Sequence, residues 1–217
     1  MWNLSKKSIL FGLLFLLAGC TVGDVGRPST GGAAANGGGT TGLSNIFSVL
    51  LTQKQISTGA SCILSDDESS YNKTQVRFTD ATHATFLVSV YTDSACTDQV
   101  LTLMREGTFA MGDIEGETLL KNFDFTPTQH QLGIFSASYL TGLNLSDYCG
   151  FDDWVLGEFK IVTGLLCGSS DMPTEPAYLR VQLTDDNSSF RFTDGDDGAS
   201  AETRNTNVST TLHYTAN

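Results

Sequence analysis

The chain has little positive charge and only three histidines. Its 217 residues include 12 Lys and Arg against 24 Asp and Glu, which gives a formal net charge of −12. Nucleic acids are bound through clustered basic residues, so this balance argues against a nucleic-acid partner. His83, His130 and His213 are scattered, and neither Gly-x-Ser-x-Gly nor His-Glu-x-x-His occurs. We therefore predict no catalytic residues and no cofactor.

Long apolar runs are also scarce, and the longest lies near the N-terminus. Lys6 and Lys7 precede an apolar stretch from Ile9 to Leu17. This stretch is too short to span a bilayer comfortably, since a spanning helix needs about 20 apolar residues. A short basic region followed by such a stretch is typical of a secretory signal.

The end of this stretch resembles the lipobox of bacterial lipoproteins. Leu17-Ala18-Gly19-Cys20 places small residues before the cut, where a peptidase must reach the backbone, and a thiol after it to take the diacylglyceryl group. We predict that residues 1–19 are a cleaved lipoprotein signal peptide and that Cys20 is lipidated. An ordinary signal peptide with a chance cysteine and an uncleaved anchor are the alternatives.

Lipidation implies a place in the cell envelope. Each buried methylene contributes about 0.8 kcal/mol to membrane binding, so two or more acyl chains on Cys20 anchor the chain stably. By resemblance to the sorting of Gram-negative lipoproteins, Thr21 rather than Asp favours the outer membrane. Cleavage removes Lys6 and Lys7 and no acidic residue, which changes the formal net charge from −12 to −14. That charge suits solubility, a basic protein partner or a divalent cation.

Glycine is concentrated after Cys20. Residues 31–42 read GGAAANGGGTTG, a composition that cannot bury enough apolar surface to stay folded. We predict that residues 20–42 are the lipidated cysteine and a flexible, disordered linker that reaches roughly 25 Å on average. The folded domain is predicted over residues 43–217, a usual size for one domain.

Four cysteines remain in the predicted domain: Cys62, Cys96, Cys149 and Cys167. An even number in an exported chain indicates disulfides. Of the three connectivities, sequence order and spacing favour Cys62–Cys96 with Cys149–Cys167. In the loop-entropy description each bond stabilises the fold by roughly 3–4 kcal/mol. A zinc site is the alternative, although no Cys-x-x-Cys spacing supports it.

Alternation of apolar and polar residues predicts β-strands along most of the domain. It is clear in residues 75–79, 86–90, 99–111, 118–126, 179–183 and 190–192. About eight strands with short connections predict a mainly-β fold with a single antiparallel sheet closed into a barrel, and a sandwich is the alternative. Looser apolar spacing over residues 133–147 predicts one short helix or lid.

Four segments carry a resemblance to other proteins: residues 91–96 (YTDSAC), 107–112 (GTFAMG), 149–157 (CGFDDWVLG) and 162–168 (VTGLLCG). They look like parts of a group of uncharacterised proteobacterial lipoproteins with a cysteine-stapled, lipocalin-like β domain. The resemblance spans most of residues 55–205 and is most specific over the two later segments. It implies the same fold and location, and no activity.

The apolar face of the predicted strands is the candidate ligand site. Phe78, Phe86, Phe109 and Phe123 are expected to line the barrel interior, and Trp154 is a further candidate. Eight-stranded barrels either hold a small ligand or are filled by their own side chains. For Trp154, a core or rim position packed on the Cys149–Cys167 bond is favoured over a place in the ligand pocket.

A short acidic segment near the C-terminus resembles the start of a calcium loop. Asp194 and Asp196 are at alternate positions, and Gly195 supplies the turn, which is the arrangement that Ca²⁺ loops use. The segment lacks a glutamate at the usual later offset. An acidic hairpin turn is therefore favoured, and no metal site is predicted.

Taken together, these features favour a membrane-anchored, non-catalytic binding module of the bacterial cell envelope. A small apolar ligand inside the barrel is the first hypothesis. The second is a protein–protein module, such as an inhibitor of a basic envelope or host protein of the lysozyme type, which the acidic charge favours. A hydrolase ranks last because no motif supports it.

The lipobox generates a direct prediction. In a bacterial host, the full chain should incorporate radiolabelled palmitate and fractionate with membranes, because acyl chains on Cys20 hold it there. A Cys20→Ala chain should lose both properties. Equal labelling and equal fractionation of the two chains would contradict the prediction.

Overall fold

A computed structural model describes residues 56–58, 62–65, 68–115, 120–168, 170–172, 174–183, 189–192, 201–203 and 214–216. The predicted signal peptide, Cys20, the linker, and Asp194 and Asp196 lie outside these residues. Within the described ranges, no helix has the length and apolar character needed to cross a bilayer.

Strands dominate the described residues. In chain order they are β1 (Ile56–Thr58), β2 (Ile63–Leu64), β3 (Tyr71–Phe78), β4 (His83–Tyr91), β5 (Gln99–Glu115), β6 (Leu120–Ile134), β7 (Phe159–Ile161), β8 (Leu166–Cys167), β9 (Ser170–Asp171), β10 (Ala177–Leu183), β11 (Ser189–Phe192) and β12 (Tyr214–Ala216). Helix α1 (Ala137–Leu145) follows β6, and short 3-10 turns cover Tyr148–Gly150 and Ala201–Thr203.

One curled antiparallel sheet organises the domain. Its strands follow the order β1-β12-β11-β10-β6-β5-β4-β3-β2, and β7 pairs beside β6. β1 also pairs with β3, at Ile56 and Ser57 only, whereas β5 and β6 pair along most of their length. The curled sheet therefore closes on itself only through this short pairing of β1 with β3. The prediction of a mainly-β fold with a single antiparallel, barrel-like sheet and one short helix is confirmed.

The concave face of the curl carries an aromatic core. Every second residue of a strand faces the same side of its sheet, and the apolar residues alternate accordingly. The buried core members are Val76, Phe78, Ala84, Phe109, Phe123, Phe125, Ala177, Val181, Phe190, Phe192 and Tyr214, with Phe86, Met111 and Leu179 packed against them. We call this set the aromatic core.

β6 changes its side-chain phase halfway along. Phe123, Phe125 and Pro127 are buried in its first half, whereas His130 and Leu132 are buried in its second half. The register to β5 shifts here, because Gly107 pairs with Pro127 and Glu106 pairs with Gln129. Thr128 is the extra residue of a β-bulge. The shift keeps both halves of the strand facing inward.

The bulge also explains why the sequence underestimates β6. Period-two alternation predicts a strand over residues 118–126, but the strand extends to Ile134. A bulge breaks the alternation in the sequence without ending the strand in space. The helix predicted over residues 133–147 accordingly begins only at Ala137.

The segment between β6 and β10 comprises residues 135–176, of which all but 169 and 173 are described, and it rejoins the large sheet at β7, which pairs with β6. We call this segment the excursion. Its buried side chains join the ends of β4, β5 and β6 in a second core. The buried members of this core are Val90, Val100, Leu101, Leu103, Leu132, Ile134, Leu143, Cys149, Trp154, Val162, Cys167 and Met172.

Two disulfides hold the loops, in the connectivity favoured from the sequence. Cys149–Cys167 joins Cα atoms 4.2 Å apart inside the second core. Cys62–Cys96 joins Cα atoms 5.8 Å apart and fixes the chain before β3 to the turn between β4 and β5. In that turn, the Asp93 carboxylate accepts hydrogen bonds from the backbone N–H groups of Thr97 and Asp98.

The packing of the aromatic core predicts that removing its central ring strongly destabilises the fold. Phe123 is fully buried and lies against the rings of Phe78, Phe86, Phe109 and Phe192. Phe123→Ala should lower the free energy of unfolding by about 3–5 kcal/mol, because it leaves a cavity that the rigid sheet cannot close.

Urea denaturation of the domain measures this effect. Leu145→Ala is the matched control, since Leu145 is 83% exposed and its truncation should change stability by no more than about 0.5 kcal/mol. A Phe123→Ala domain as stable as the control would contradict a filled aromatic core.

Candidate functional site

The structure brings four of the five predicted ligand-lining residues together. Phe78 lies 5.2 Å from Phe109, centroid to centroid, and Phe109 stacks on Phe123 at 5.2 Å. Phe86 meets Phe123 edge-on at 6.2 Å. These residues lie on adjacent strands of the curl, where the sequence pattern places them on one face.

Other rings that the sequence analysis did not assign to the site complete this cluster. Phe125 approaches Phe86 at 4.8 Å, and Phe192 approaches Phe123 at 5.1 Å. Phe190 stacks on Tyr214 at 5.1 Å, and burial raises the pKa of the Tyr214 hydroxyl above its ordinary range. The alternation of residues 190–192 predicted their strand. Only the curl of the sheet brings that strand against β3 and β4.

Trp154 lies in the second core, apart from the four phenylalanines. Its ring contacts Phe151 at 5.5 Å and Tyr148 at 6.5 Å, and its indole N–H donates to the Tyr148 carbonyl at 3.1 Å. Asn144 bonds to both the backbone N–H and the carbonyl of Trp154. The indole therefore packs as a core residue beside Cys149–Cys167.

A polar pair interrupts the inward face of the sheet. Arg105 of β5 pairs directly with His130 of β6, and the Arg105 guanidinium lies 5.8 Å from the Phe125 ring centroid. His130 is 1% exposed, and neither of its ring nitrogens has a hydrogen-bond partner among the described residues. The alternation of apolar and polar residues did not predict that His130 is buried, because the bulge at Thr128 shifts this alternation by one residue.

The electrostatics of His130 favour the neutral ring. Desolvation by burial, and then the nearby Arg105 charge, lower its pKa from about 6.5 to about 4. Its backbone is fixed by Val162, whose N–H donates to the His130 carbonyl at 2.9 Å, and by the Thr163 hydroxyl, which accepts from the His130 N–H at 2.7 Å. Folding therefore holds an uncharged imidazole beside a permanent cation.

The exposed apolar residues form the other candidate site, and the sequence analysis did not find it. Most of the exposed large apolar side chains among the described residues belong to the excursion: Leu145, Val155, Leu156, Phe159, Ile161 and Leu166. Leu64 is the exposed member outside it. Leu156, Phe159 and Ile161 follow one another along β7 and its approach. We call these three residues the apolar patch.

Local packing holds the patch in place. Phe159 pairs with Gly133 of β6, and a Cβ on Gly133 would lie 3.0 Å from the Phe159 ring. The same ring meets Phe135 edge-on at 5.9 Å. Gly133 thus leaves the space that the ring occupies, and β7 is fixed against the sheet.

The charge of the excursion is mainly negative. The excursion contains six acidic residues and a single basic residue, Lys160. The Lys160 ammonium contacts the Asp153 carboxylate and lies over the rings of Phe151, at 4.7 Å, and Trp154, at 5.6 Å. The hydrogen bond from Lys160 lowers the pKa of Asp153 below its ordinary value. Glu158 is exposed directly before β7.

A cluster of metal ligands and a Ser-x-x-Lys pair are two arrangements that would point to metal binding or catalysis. The described residues contain no group of three His, Cys, Asp or Glu side chains close enough to hold a metal ion. Ser70 and Lys73 have Ser-x-x-Lys spacing, which on a helix would bring hydroxyl and amine together. Here Lys73 is in β3, where residues three apart point to opposite faces, and the Ser70 hydroxyl bonds to Ser65.

Comparison with known proteins adds no family to this picture: no family model matches the chain, and no curated protein is significantly similar to it.

The lowered pKa of His130 predicts a pH-dependent stability. The unfolded chain binds a proton on this histidine near pH 6.5, and the folded chain does so only near pH 4. Protonation therefore favours unfolding, and stability should fall as the pH is lowered from about 6.5 to about 4. Since one pKa unit corresponds to about 1.4 kcal/mol, the loss should be about 2–3 kcal/mol.

Urea denaturation at several pH values checks this prediction. His130→Gln should remove the loss between pH 6.5 and pH 4. The control His83→Gln removes an exposed histidine and leaves the His130 contribution in place. Equal pH slopes for the wild type and His130→Gln would show that His130 does not titrate in this way.

Proposed function

We propose that this protein is a lipid-anchored, non-catalytic binding module of the bacterial cell envelope, and that it captures a basic protein through the apolar patch of the excursion. The observation that carries the proposal is the exposure of Leu156, Phe159 and Ile161 on a disulfide-held segment that contains six acidic residues and one basic residue. Exposed apolar patches with polar rims are characteristic of protein interaction sites.

The packing of the interior favours a surface site over an interior one. The rings of the aromatic core approach one another at centroid distances of 4.8–6.4 Å, which are ordinary contacts between packed aromatic side chains. An apolar ligand inside the curl would have to displace these rings. The patch needs no rearrangement, because its side chains are already exposed.

The charge pattern indicates the chemistry of the partner. Asp152, Asp153 and Glu158 are exposed beside the patch, and the whole chain carries a formal net charge of −12. A basic partner is attracted at long range by this charge and loses affinity as salt screens it. A partner with an apolar centre and a basic rim matches both features of the site.

The predicted anchor gives such a module a role at the membrane. Lipid on Cys20 holds the chain at the outer membrane, and the Gly-rich linker allows the domain to reach roughly 25 Å from it. Capturing a basic muramidase there, before it reaches the cell wall, is a role that this arrangement would serve. The proposal requires no cofactor, metal ion or nucleic acid.

A binding assay with immobilised mature protein tests the proposal. We expect members of a panel of basic muramidases to bind at 50 mM salt and to bind more weakly at 300 mM salt. Leu156→Ser should weaken binding about tenfold, which corresponds to about 1.4 kcal/mol, because it removes one of the three apolar side chains of the patch.

Two matched controls separate the patch from general effects. Leu64→Ser removes an apolar side chain of similar exposure outside the excursion, and Glu68→Gln removes an exposed acid outside it. Neither control should change affinity more than about twofold. Failure of the whole panel to bind at low salt, or equal losses for Leu156→Ser and Leu64→Ser, would overturn the proposal.

A further inference from the structure

β7 is an edge strand of the large sheet. β6 pairs with β10 through its first half, at residues 120–125, and with β7 through its second half, at residues 131–133. β7 has no other strand partner among the described residues. The side of β7 that faces away from β6 is therefore an open edge.

The hydrogen-bonding pattern between β7 and β6 shows which backbone groups of β7 point to the open edge. The Val162 N–H donates to the His130 carbonyl, and Lys160 pairs with Leu132 two residues further along. In an antiparallel ladder, hydrogen-bonded pairs alternate with pairs whose backbone groups point outward. The N–H and carbonyl groups of Phe159 and Ile161 consequently point to the open edge, and they bond to no described residue.

The protection of this edge is the short length of β7, which has three residues. Natural proteins guard edge strands by keeping them very short, or with outward-pointing lysines, prolines, bulges or covering loops. β7 reads Phe-Lys-Ile, and its lysine does not guard the edge. The Lys160 side chain is 17% exposed and is held by Asp153 and the rings of Phe151 and Trp154.

The side chains beside the edge suit an incoming strand. Phe159 and Ile161 are 39% and 59% exposed, and alternation places both on the outer face of the sheet. Phe159 packs on Gly133 and Phe135, so β7 is a preformed template. Strand addition uses such a template by combining main-chain hydrogen bonds with contacts to alternate side chains.

From these observations we infer that the open edge of β7 pairs with an extended segment of a basic protein, whose alternate residues are apolar and contact Phe159 and Ile161. This inference rests on the proposed function, because it names how the apolar patch recognises its partner. Glu158 and Asp152 supply the charge complementarity, because the Asp153 carboxylate is paired with Lys160. A second copy of this chain would bring two sets of these acidic residues together and is the less favoured occupant.

Amide hydrogen exchange tests the pairing directly. The probes are a muramidase of the panel that binds and a synthetic seven-residue peptide that alternates lysine and valine. In the free protein, the amides of Phe159 and Ile161 should exchange quickly and the amide of Lys160 slowly. Either probe should slow exchange at Phe159 and Ile161 by tenfold or more.

Backbone-directed variants separate pairing from side-chain docking. Ile161→Pro removes an N–H on the open edge, where proline is tolerated because the bonds to β6 come from Lys160. It should weaken binding about tenfold more than Ile161→Ala, which keeps the N–H. A peptide methylated on its pairing backbone nitrogens should also lose binding, and this result does not depend on the folding of any variant.

The outcomes distinguish this inference from the proposed function. If Leu156→Ser weakens binding but Ile161→Pro and Ile161→Ala behave alike and the two amides stay unprotected, strand pairing is overturned and the patch proposal stands. If no probe binds at low salt, both fail. Protection of the two amides in concentrated protein alone, with a dimer in sedimentation, would replace the basic partner with a second copy.

Discussion

The path of β6 is the constraint on which the rest of the structure depends. It pairs with β5 along most of its length, with β10 through its first half and with β7 through its second. The bulge at Thr128 shifts the alternation of side chains along β6 by one residue. Phe123 before the bulge is therefore buried in the aromatic core, and Leu132 after it is buried in the second core. One strand thereby supports both cores, and the polar pair of Arg105 and His130 lies near their junction.

The packing of the second core determines which side chains of the excursion are exposed. Trp154, the Cys149–Cys167 bond and the Asn144 hydrogen bonds fix the chain between α1 and β7. Lys160 turns inward to Asp153 and the rings, which leaves Phe159 and Ile161 as the outward side chains of β7. A segment held this firmly can expose apolar residues without rearranging to bury them. This is the property that the proposed binding role requires.

Much of the fold was predictable because period-two alternation is a local property. It placed Phe78, Phe86, Phe109 and Phe123 on one face, and the structure brings their rings together. Cysteine spacing gave both disulfides for a similar reason, since each bond joins chain segments close in sequence. Alternation did not predict the second half of β6 or the inward position of His130. A single inserted residue reverses the pattern there, while the register with β5 keeps the strand in the sheet.

By itself, the sequence determined the mainly-β class, the aromatic face, the cysteine pairing and the acidic charge, because composition and short-range periodicity encode all of these. The predicted lipobox also comes from the sequence alone, because it rests on four consecutive residues. The tertiary structure alone decided that Trp154 lies apart from the four phenylalanines and that β7 ends the sheet with an open edge. Both depend on which strands become neighbours when the sheet curls, and that is a property of long-range pairing.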